Sequence, residues 1–256
     1  MARVPLRRAW VSAVLAVVLL LSGGMSGAKS LRTVRFVPDG DTVVMENGQT
    51  VRLIGINAPE ADTPRGPAEP FGEQAGAALR KMVQGRAVVL ETDQQTTDRY
   101  GRFLACVILP DGTMANERMV RAGLAWCVYT APNGKYTRRL LAAQRAAMDE
   151  KAGLWAVLPD LPGPFIGNRR SLRLHHPSCP FVGGMSKKNR EMFPSLKPAF
   201  RQGYAPCEKC LHGRVMRSIE QNQGKKTGEK AEALFPDNRL VDGALAVIPL
   251  RTWPPR

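Results

Sequence analysis

The sequence predicts a mainly β protein with α-helices, built on a five-stranded barrel that carries three helices and is followed by a small C-terminal module. Three observations support this fold class. Short segments between about residues 31 and 109 alternate apolar and polar residues, as half-buried strands do. Segments with helical spacing interrupt and follow them. Near the C-terminus, three cysteines and a histidine have the spacing of a metal site.

The five predicted strands follow one another with turn signals between them. Glu46-Asn47-Gly48 is a hairpin signal between the second and third strands, and Asp111-Gly112 turns the chain after the fifth. The strands are RTVRFV, DTVVM, TVRLIGI, AVVLET and FLACVIL. Because an OB-fold is a small five-stranded barrel whose open face commonly binds nucleic acid, this order predicts an OB-fold.

Three helices are predicted to pack outside the barrel. The first covers residues 73–83, follows a Pro- and Gly-rich loop, and ends at Gly85. The second is the short segment NERMVRAG, and the third covers residues 136–152 with its apolar side chains on one face. Strands and helices in this order predict that helices cover one part of the barrel surface and leave another part open.

Composition divides the chain into five segments. We expect a signal peptide in residues 1–28, the barrel domain in residues 29–157 and a Pro-rich linker in residues 158–165. The compact segment of residues 166–214 is the predicted zinc-binding module. Residues 215–256 form a basic tail that we expect to be partly disordered, because it begins with polar, low-complexity sequence.

The N-terminus has the order of a secretory signal. Arg3, Arg7 and Arg8 precede an apolar run over residues 9–21, and small residues follow up to a cleavage point after Ala28. The apolar run is shorter than the roughly 20 residues of a bilayer span. The sequence therefore predicts export to the periplasm or the medium, with no stable membrane contact after cleavage. An uncleaved membrane anchor is the alternative.

The chain is strongly basic. Its formal net charge is +15, and removing the three arginines of the predicted signal leaves 15 − 3 = +12. Such a charge favours a polyanionic partner, of which nucleic acid is the commonest. Charge alone does not choose between nucleic acid and other anionic surfaces.

Five cysteines are an odd number for an exported chain, which points to a metal site or a free thiol. A CxxC pair and a His-x3-Cys pair could together fill a tetrahedral zinc site with no open position, so the zinc would be structural. The predicted ligands are His175, Cys179, Cys207 and Cys210. Cys106 and Cys127 then remain as an even pair. Disulfides are the alternative, because oxidising compartments favour them.

Unusual polar groups stand at three predicted strand ends. They lie in DGDT at residues 39–42, in residues 52–60, and in DRYGR at residues 98–102. One rim of a barrel could collect all three. Each stretch alone has an ordinary explanation as a turn or a surface cation, so only their joint occurrence favours a functional site.

The residue types at this rim fit the hydrolysis of a phosphodiester. Arg52 and Arg102 can grip phosphate oxygens in a fork and stabilise the extra negative charge of the transition state. Asp41 could hold a hard cation such as Ca²⁺, and Glu60 could act as general base on the attacking water.

Several motifs occur together in an order that resembles the staphylococcal-type thermonuclease family. They are VPDGDTVVMENGQTVRLIGINAPE, the PFG helix with KMV, TDRYGRFLA, MVRAGLA and AGLW. The resemblance covers about residues 31–155. It implies an OB-barrel, Ca²⁺-dependent nuclease that acts on DNA and RNA and leaves 3′-phosphates.

By motif position, the resemblance also implies roles for individual residues. Asp41 matches the family's Ca²⁺ carboxylate, and Ala58 matches the residue that offers a backbone carbonyl to the metal. Arg52 and Arg102 match the phosphate-binding arginines, and Glu60 matches the general base. Two aromatic positions of the substrate pocket are matched by Tyr100 and Tyr129, for which half-buried packing is the alternative.

Asn57 departs from the family pattern, which usually has Asp as a second metal carboxylate at this position. An amide oxygen can bind Ca²⁺ but brings no charge, so we expect weaker metal binding. The rival interpretation is a nucleic-acid-binding OB-fold protein that no longer cuts. The presence of Glu60 and both arginines argues against it.

The C-terminal segment resembles the zinc-binding module of Ada-type alkylation-response proteins. The matching motifs are LHHPSC and GYAPCEKC, with histidine in place of the first cysteine. The resemblance covers about forty residues and implies one structural zinc ion.

Overall fold

The computed structural model describes residues 31–62 and 66–226. The predicted signal peptide and the part of the predicted tail after residue 226 lie outside these ranges. Within them, the strands are β1 (Leu31–Phe36), β2 (Thr42–Met45), β3 (Thr50–Leu53), β4 (Ile56–Asn57), β5 (Ala87–Glu91), β6 (Phe103–Ile108), β7 (Trp126–Cys127), β8 (Pro162–Asn168), β9 (Arg173–His175), β10 (Arg190–Ser195) and β11 (Ala205–Pro206). The α-helices are α1 (Gly72–Val83), α2 (Ala115–Arg121), α3 (Thr137–Asp149), α4 (Pro180–Gly183), α5 (Leu196–Arg201) and α6 (Gly213–Lys226).

The predicted barrel is confirmed. Five strands close in the order β1-β2-β3-β6-β5. β3 and β6 run parallel, and the other neighbouring strands are antiparallel. Along β2 and β3, the buried Val43, Met45, Val51 and Leu53 alternate with less buried residues, which is why period-2 patterning predicted these strands. The three predicted helices are α1, α2 and α3, and α1 buries Ala75, Leu79 and Val83.

The third predicted strand is interrupted, which the alternation did not indicate. Gly55 has a φ of 80°, a left-handed conformation that ends β3 and redirects the chain into β4. A Cβ atom at Gly55 would lie 2.6 Å from Cδ1 of Leu140, so the space also requires glycine. β4 then pairs with β7 outside the barrel, with Asn57 opposite Trp126. This break turns Asn57 and Ala58 towards the start of β2.

A second sheet, in the order β10-β8-β9-β11, follows the barrel. The predicted linker of residues 158–165 differs from the structure, because β8 begins at Pro162. Proline-rich composition suggested a linker, but Phe165 and Ile166 are buried, and the strand pairs with both β9 and β10. Burial of these two side chains outweighs the missing N–H groups of the prolines.

The barrel and the second sheet share one apolar core. The Phe200 ring of α5 packs edge-on against two barrel-side indoles, 6.1 Å from Trp126 and 5.1 Å from Trp155. Val215 and Ile219 of α6 are fully buried in the same core. Residues 215–226, the start of the predicted tail, are thus helical, and the buried residues of this helix lie in the shared core.

Gln144 of α3 bridges the two sheets through polar contacts. Its Oε1 accepts a hydrogen bond from the Cys127 N–H at 2.7 Å, and its Nε2 donates one to the Phe200 carbonyl at 2.6 Å. The Gln144 side chain is completely buried. It therefore satisfies two backbone groups that solvent does not reach.

Replacing Gln144 by Leu should lower the free energy of unfolding by about 1–3 kcal/mol, because the buried Cys127 N–H loses its acceptor, whereas the Phe200 carbonyl keeps the Gly203 N–H at 2.9 Å. Denaturant titration of the purified protein measures the change. Gln94→Leu, at an exposed position, is the matched control. Equal stabilities of the two variants would contradict the bridging role.

Within residues 31–62 and 66–226, none of the helices combines the length and the apolar character needed to cross a bilayer.

Candidate active site

Asp41 lies at the centre of the polar groups on the barrel rim. It stands at the start of β2 with only 5 % of its surface exposed. Its Oδ2 accepts hydrogen bonds from the Ala58 N–H and from Arg52 Nη2, both at 2.8 Å. The Thr42 hydroxyl donates to Oδ1 at 3.2 Å, and Oδ1 of Asp39 accepts the Asp41 N–H at 3.0 Å. Asp41 is thus held in one orientation by three donors.

Arg52 is fixed by the turn that breaks the third strand. Its Nη1 donates to the carbonyl oxygens of Leu53 and Ile56, each at 2.9 Å, and its Nη2 donates to Oδ1 of Asn57 at 2.9 Å. Together with the Asp41 ion pair, these contacts use both terminal nitrogens of the guanidinium. The planar group is therefore held in one orientation, and a phosphate would bind it in a fork only by taking over N–H groups that now contact the protein.

Glu60 follows the turn on the solvent side of Arg52. Glu60 is exposed. Glu69 holds its backbone through two hydrogen bonds: the Glu60 N–H donates to Oε2 of Glu69 at 3.0 Å, and the Glu69 N–H donates to the Glu60 carbonyl at 2.9 Å. Asp39 and Arg52 lie close enough for their charges to act on the Glu60 carboxylate. Glu60 thus presents a carboxylate to solvent beside a fixed guanidinium.

The electrostatics of this rim favour the binding of a cation. The pKa of Asp41 is raised to about 7, mainly by burial; Arg52 opposes the rise, and the charges of Asp39 and Glu60 contribute to it. Partial loss of hydration, together with the charges of Asp39 and Glu69, also raises the pKa of Glu60. Closely spaced carboxylates with one arginine among them leave an excess of negative charge.

Arg102 reaches the same edge of the barrel but binds a different partner. Its Nε pairs with Oδ2 of Asp98 at 2.8 Å. Arg52 pairs with Leu104, which lies two residues after Arg102. Because alternate residues of a strand share a face, both arginines lie on the same face of the sheet, about 7 Å apart along the strands. Among the described residues, no hydrogen bond or ion pair joins Arg102 to Asp41, Arg52 or Glu60.

The two candidate aromatic residues lie in neighbouring loops. Tyr100 is 68 % exposed, and the guanidinium of Arg102 lies 5.5 Å from its ring centroid. Tyr129 is half-buried after β7. The loops are tied together because the Asn133 amide exchanges two hydrogen bonds with the backbone of Gln95, at 2.8 and 2.9 Å.

The four predicted zinc ligands converge in the second sheet. His175 ends β9, Cys179 precedes α4, and Cys207 and Cys210 bracket the start of a π-helical turn at Glu208–His212. Their ligand atoms all lie within 4.8 Å of one another. All five cysteines are free thiols, so Cys106 and Cys127 are not joined.

Sequence reasoning missed two residues beside the rim, Glu69 and His212. Nε2 of His212, in the π-helical turn, lies 2.6 Å from Oε1 of Glu69. The two residues are 143 positions apart, and no local pattern links them. A histidine two residues after a CxxC pair was the available signal, and it is weak by itself.

Comparisons with known proteins agree with the barrel fold. A family model described as "Staphylococcal nuclease homologue" matches residues 50–157. This range contains the candidate residues from Arg52 to Tyr129 and excludes Asp41. The second sheet begins after the matched range.

Relatives are found in several bacteria. The chain is 36 % identical to a protein named thermonuclease from Staphylococcus hyicus over 53 % of this chain and 82 % of that protein. It is 38 % identical to a thermonuclease from Staphylococcus intermedius, over 48 % of this chain and 74 % of that protein. A protein named uncharacterized endonuclease from Escherichia coli O157:H7 is 38 % identical over 54 % of this chain and 84 % of that protein.

Proposed function

This chain belongs to the staphylococcal nuclease family, and from that membership we propose that it is an exported, Ca²⁺-dependent endonuclease. It hydrolyses phosphodiester bonds of DNA and RNA and leaves 3′-phosphates. The observation that carries the proposal is the fixed cluster at the rim, in which Arg52 is bound to Asp41 and Asn57 next to the exposed Glu60. Tyr100 and Tyr129 provide faces on which a base or sugar stacks.

The proposed roles rest on the family resemblance, and the geometry of the cluster supports them. Arg52 stabilises the charge that develops on the phosphorus oxygens, which requires that the substrate phosphate displace Asp41 or Asn57 from its terminal N–H groups. Glu60 accepts the proton of the attacking water, and its raised pKa improves it as a base. Arg102 supplies the second cation from the same face of the barrel, which requires that the substrate phosphate compete with Asp98 for it.

The residues at the rim fit a hard divalent cation. Asp41, Asn57 and the Ala58 carbonyl offer oxygen atoms of the kinds that Ca²⁺ prefers. Burial is the main cause of the raised pKa of Asp41, and a cation bound beside it would favour the charged carboxylate. Bound Ca²⁺ supplies additional positive charge next to the scissile phosphate.

The proposal is tested by digesting plasmid DNA and a single-stranded RNA with the purified protein while Ca²⁺ is titrated after treatment with a calcium chelator. Cleavage that appears with Ca²⁺ and leaves 3′-phosphate ends supports it. The neutral Asn57 favours a second candidate, a non-catalytic nucleic-acid-binding OB-fold protein with a structural zinc module. Binding without cleavage at every Ca²⁺ concentration would establish that alternative.

Asn57→Asp should lower the Ca²⁺ concentration for half-maximal cleavage by about 3- to 10-fold, because a second carboxylate adds a negative charge to the site. Initial cleavage rates measured across a Ca²⁺ titration give this value. Asn47→Asp, in the exposed hairpin turn, adds the same charge away from the site and should leave the titration unchanged. Identical midpoints for Asn57→Asp and the unaltered protein would contradict a metal-binding role for Asn57.

We assign one structural zinc ion to the four residues that converge in the second sheet, in a module like that of Ada-type proteins. Tetrahedral zinc with thiolate and imidazole ligands places its donor atoms about 3.3–3.8 Å apart. The distance of 3.4 Å between His175 Nδ1 and Cys179 Sγ is in this range. Four protein ligands leave no position for water, so the zinc holds the module together and takes no part in hydrolysis.

Export through the N-terminal signal completes the proposal, with the barrel assigned to residues 29–157 and the zinc module to residues 166–214. An uncleaved membrane anchor is the alternative. Mass spectrometry of the protein from culture medium and cell fractions distinguishes them, since cleavage would make Lys29 the first residue.

A further inference from the structure

Glu69 holds the backbone of Glu60 from two sides. Its carboxylate Oε2 accepts the Glu60 N–H at 3.0 Å, and its own N–H donates to the Glu60 carbonyl at 2.9 Å. The start of α1 also approaches closely, because a Cβ atom at Gly72 would lie 1.9 Å from the Glu60 carbonyl oxygen. The position of Glu60 therefore depends on the orientation of the Glu69 carboxylate.

The other oxygen of that carboxylate is held by a residue of the C-terminal module. Nε2–H of His212 donates to Oε1 of Glu69 at 2.6 Å. The His212 side chain is 13 % exposed, and its ring lies 5.7 Å from the ring of Trp126 in β7. The imidazole thus lies between the Glu69 carboxylate and Trp126 of β7, the strand in which Trp126 pairs with Asn57.

The turn that carries the zinc ligands directs His212 towards Glu69. Three successive N–H groups, those of Cys210, Leu211 and His212, donate to the Cys207 carbonyl, at 3.3, 2.9 and 3.0 Å. The last of these bonds spans five residues, and such π-helical turns are rare and found mainly at functional sites. An ordinary helical turn would rotate the His212 side chain away from its present direction.

We propose that His212 is a positioning residue for Glu60, acting through Glu69, so that the C-terminal module completes the active site of the barrel. The inference rests on the proposed function, in which Glu60 activates the attacking water. The barrel and the module thus meet at the Glu69 carboxylate, which holds Glu60, as well as in the apolar core.

The consequence for catalysis follows from geometry. Without the His212 donor, Oε1 of Glu69 is unpaired and the carboxylate is free to rotate, so the Glu60 N–H loses a fixed acceptor. A displacement of about 1 Å in a group that activates water is worth up to roughly 10²-fold in rate. Arg52 is held by other residues, so phosphate binding is retained.

Two variants of His212 test the proposal. His212→Leu removes the donor and keeps most of the side-chain volume, whereas His212→Gln places an amide N–H near the position of Nε2. We expect His212→Leu to lower kcat by about 10- to 100-fold with KM for DNA changed less than about 2-fold. His212→Gln should recover activity to within about 3-fold of the unaltered protein. Bound zinc should be equal in all three proteins.

Hydrogen exchange of the Glu60 amide, followed by NMR on the full chain, provides a readout that does not depend on activity. It should be about 5- to 10-fold faster in His212→Leu than in the unaltered protein or His212→Gln, because one net hydrogen bond is lost.

The results separate the two proposals. Unchanged exchange in His212→Leu, equal kcat in His212→Leu and the unaltered protein, or equal damage in both variants would each overturn the positioning role. If the unaltered protein does not cleave but exchange still rises in His212→Leu alone, the positioning of Glu60 stands and the proposed hydrolysis fails.

Discussion

Glu60→Gln is expected to lower kcat for DNA cleavage by about 10²–10⁴-fold, the range that a general base contributes. The amide has nearly the shape of the carboxylate but cannot accept the proton of the attacking water. The backbone contacts of Glu60 with Glu69 do not involve the substituted group, so the loop keeps its structure. Single-turnover cleavage of a labelled oligonucleotide at saturating Ca²⁺ measures the loss.

The matched control is Glu46→Gln, which makes the same chemical change in the exposed hairpin turn between β2 and β3. This variant should cleave at the rate of the unaltered protein. Affinity for an oligonucleotide should be retained by Glu60→Gln, because Arg52 and Arg102 remain. A Glu60→Gln protein with more than about a tenth of the original kcat would assign the base to another group.

Cys207→Ser is expected to lose the bound zinc and to lower the free energy of unfolding by several kcal/mol. Metal-binding energy of a structural site is folding energy, and binding of zinc to peptide modules amounts to about 10–16 kcal/mol. Because the barrel and the second sheet share one core, the loss should lower the unfolding temperature of the barrel as well. Zinc content and the fluorescence of Trp126 and Trp155 during heating measure both effects.

Cys127→Ser is the matched control, because Cys127 and Cys207 are both 6 % exposed and Cys127 lies outside the ligand cluster. This variant should retain one zinc ion per chain. Equal zinc content in the two variants would contradict the assignment of Cys207. If a thiol reductant, and not a zinc chelator, destabilised the protein, disulfides would replace zinc in the explanation.

Much of the barrel could be predicted because its determinants are local. Apolar residues at alternate positions of β2 and β3, a hairpin signal at residues 46–48 and helical spacing in α1 act over a few residues. The proximity of Asp41 and Arg52 could also be predicted, because both stand at predicted strand ends and adjacent strands share a rim.

The remainder depends on contacts between distant residues. The alternation in TVRLIGI continues through Gly55, and only the left-handed backbone conformation of Gly55 shows that the strand breaks there. Composition described residues 158–165 as a linker, although burial of Phe165 makes their second half a strand. The contact between His212 and Glu69 joins two weakly patterned segments that only the folded chain brings together.

The edge-on stack of Phe200 against Trp126 and Trp155 has a practical meaning for protein engineering. The family match ends at residue 157, which suggests truncating the chain there. A fragment ending at this residue would lack Phe200 and would therefore expose the indoles of Trp126 and Trp155. Large exposed apolar patches of this kind promote self-association. Expression designs and fusion partners are better joined after residue 226, where the last described helix ends.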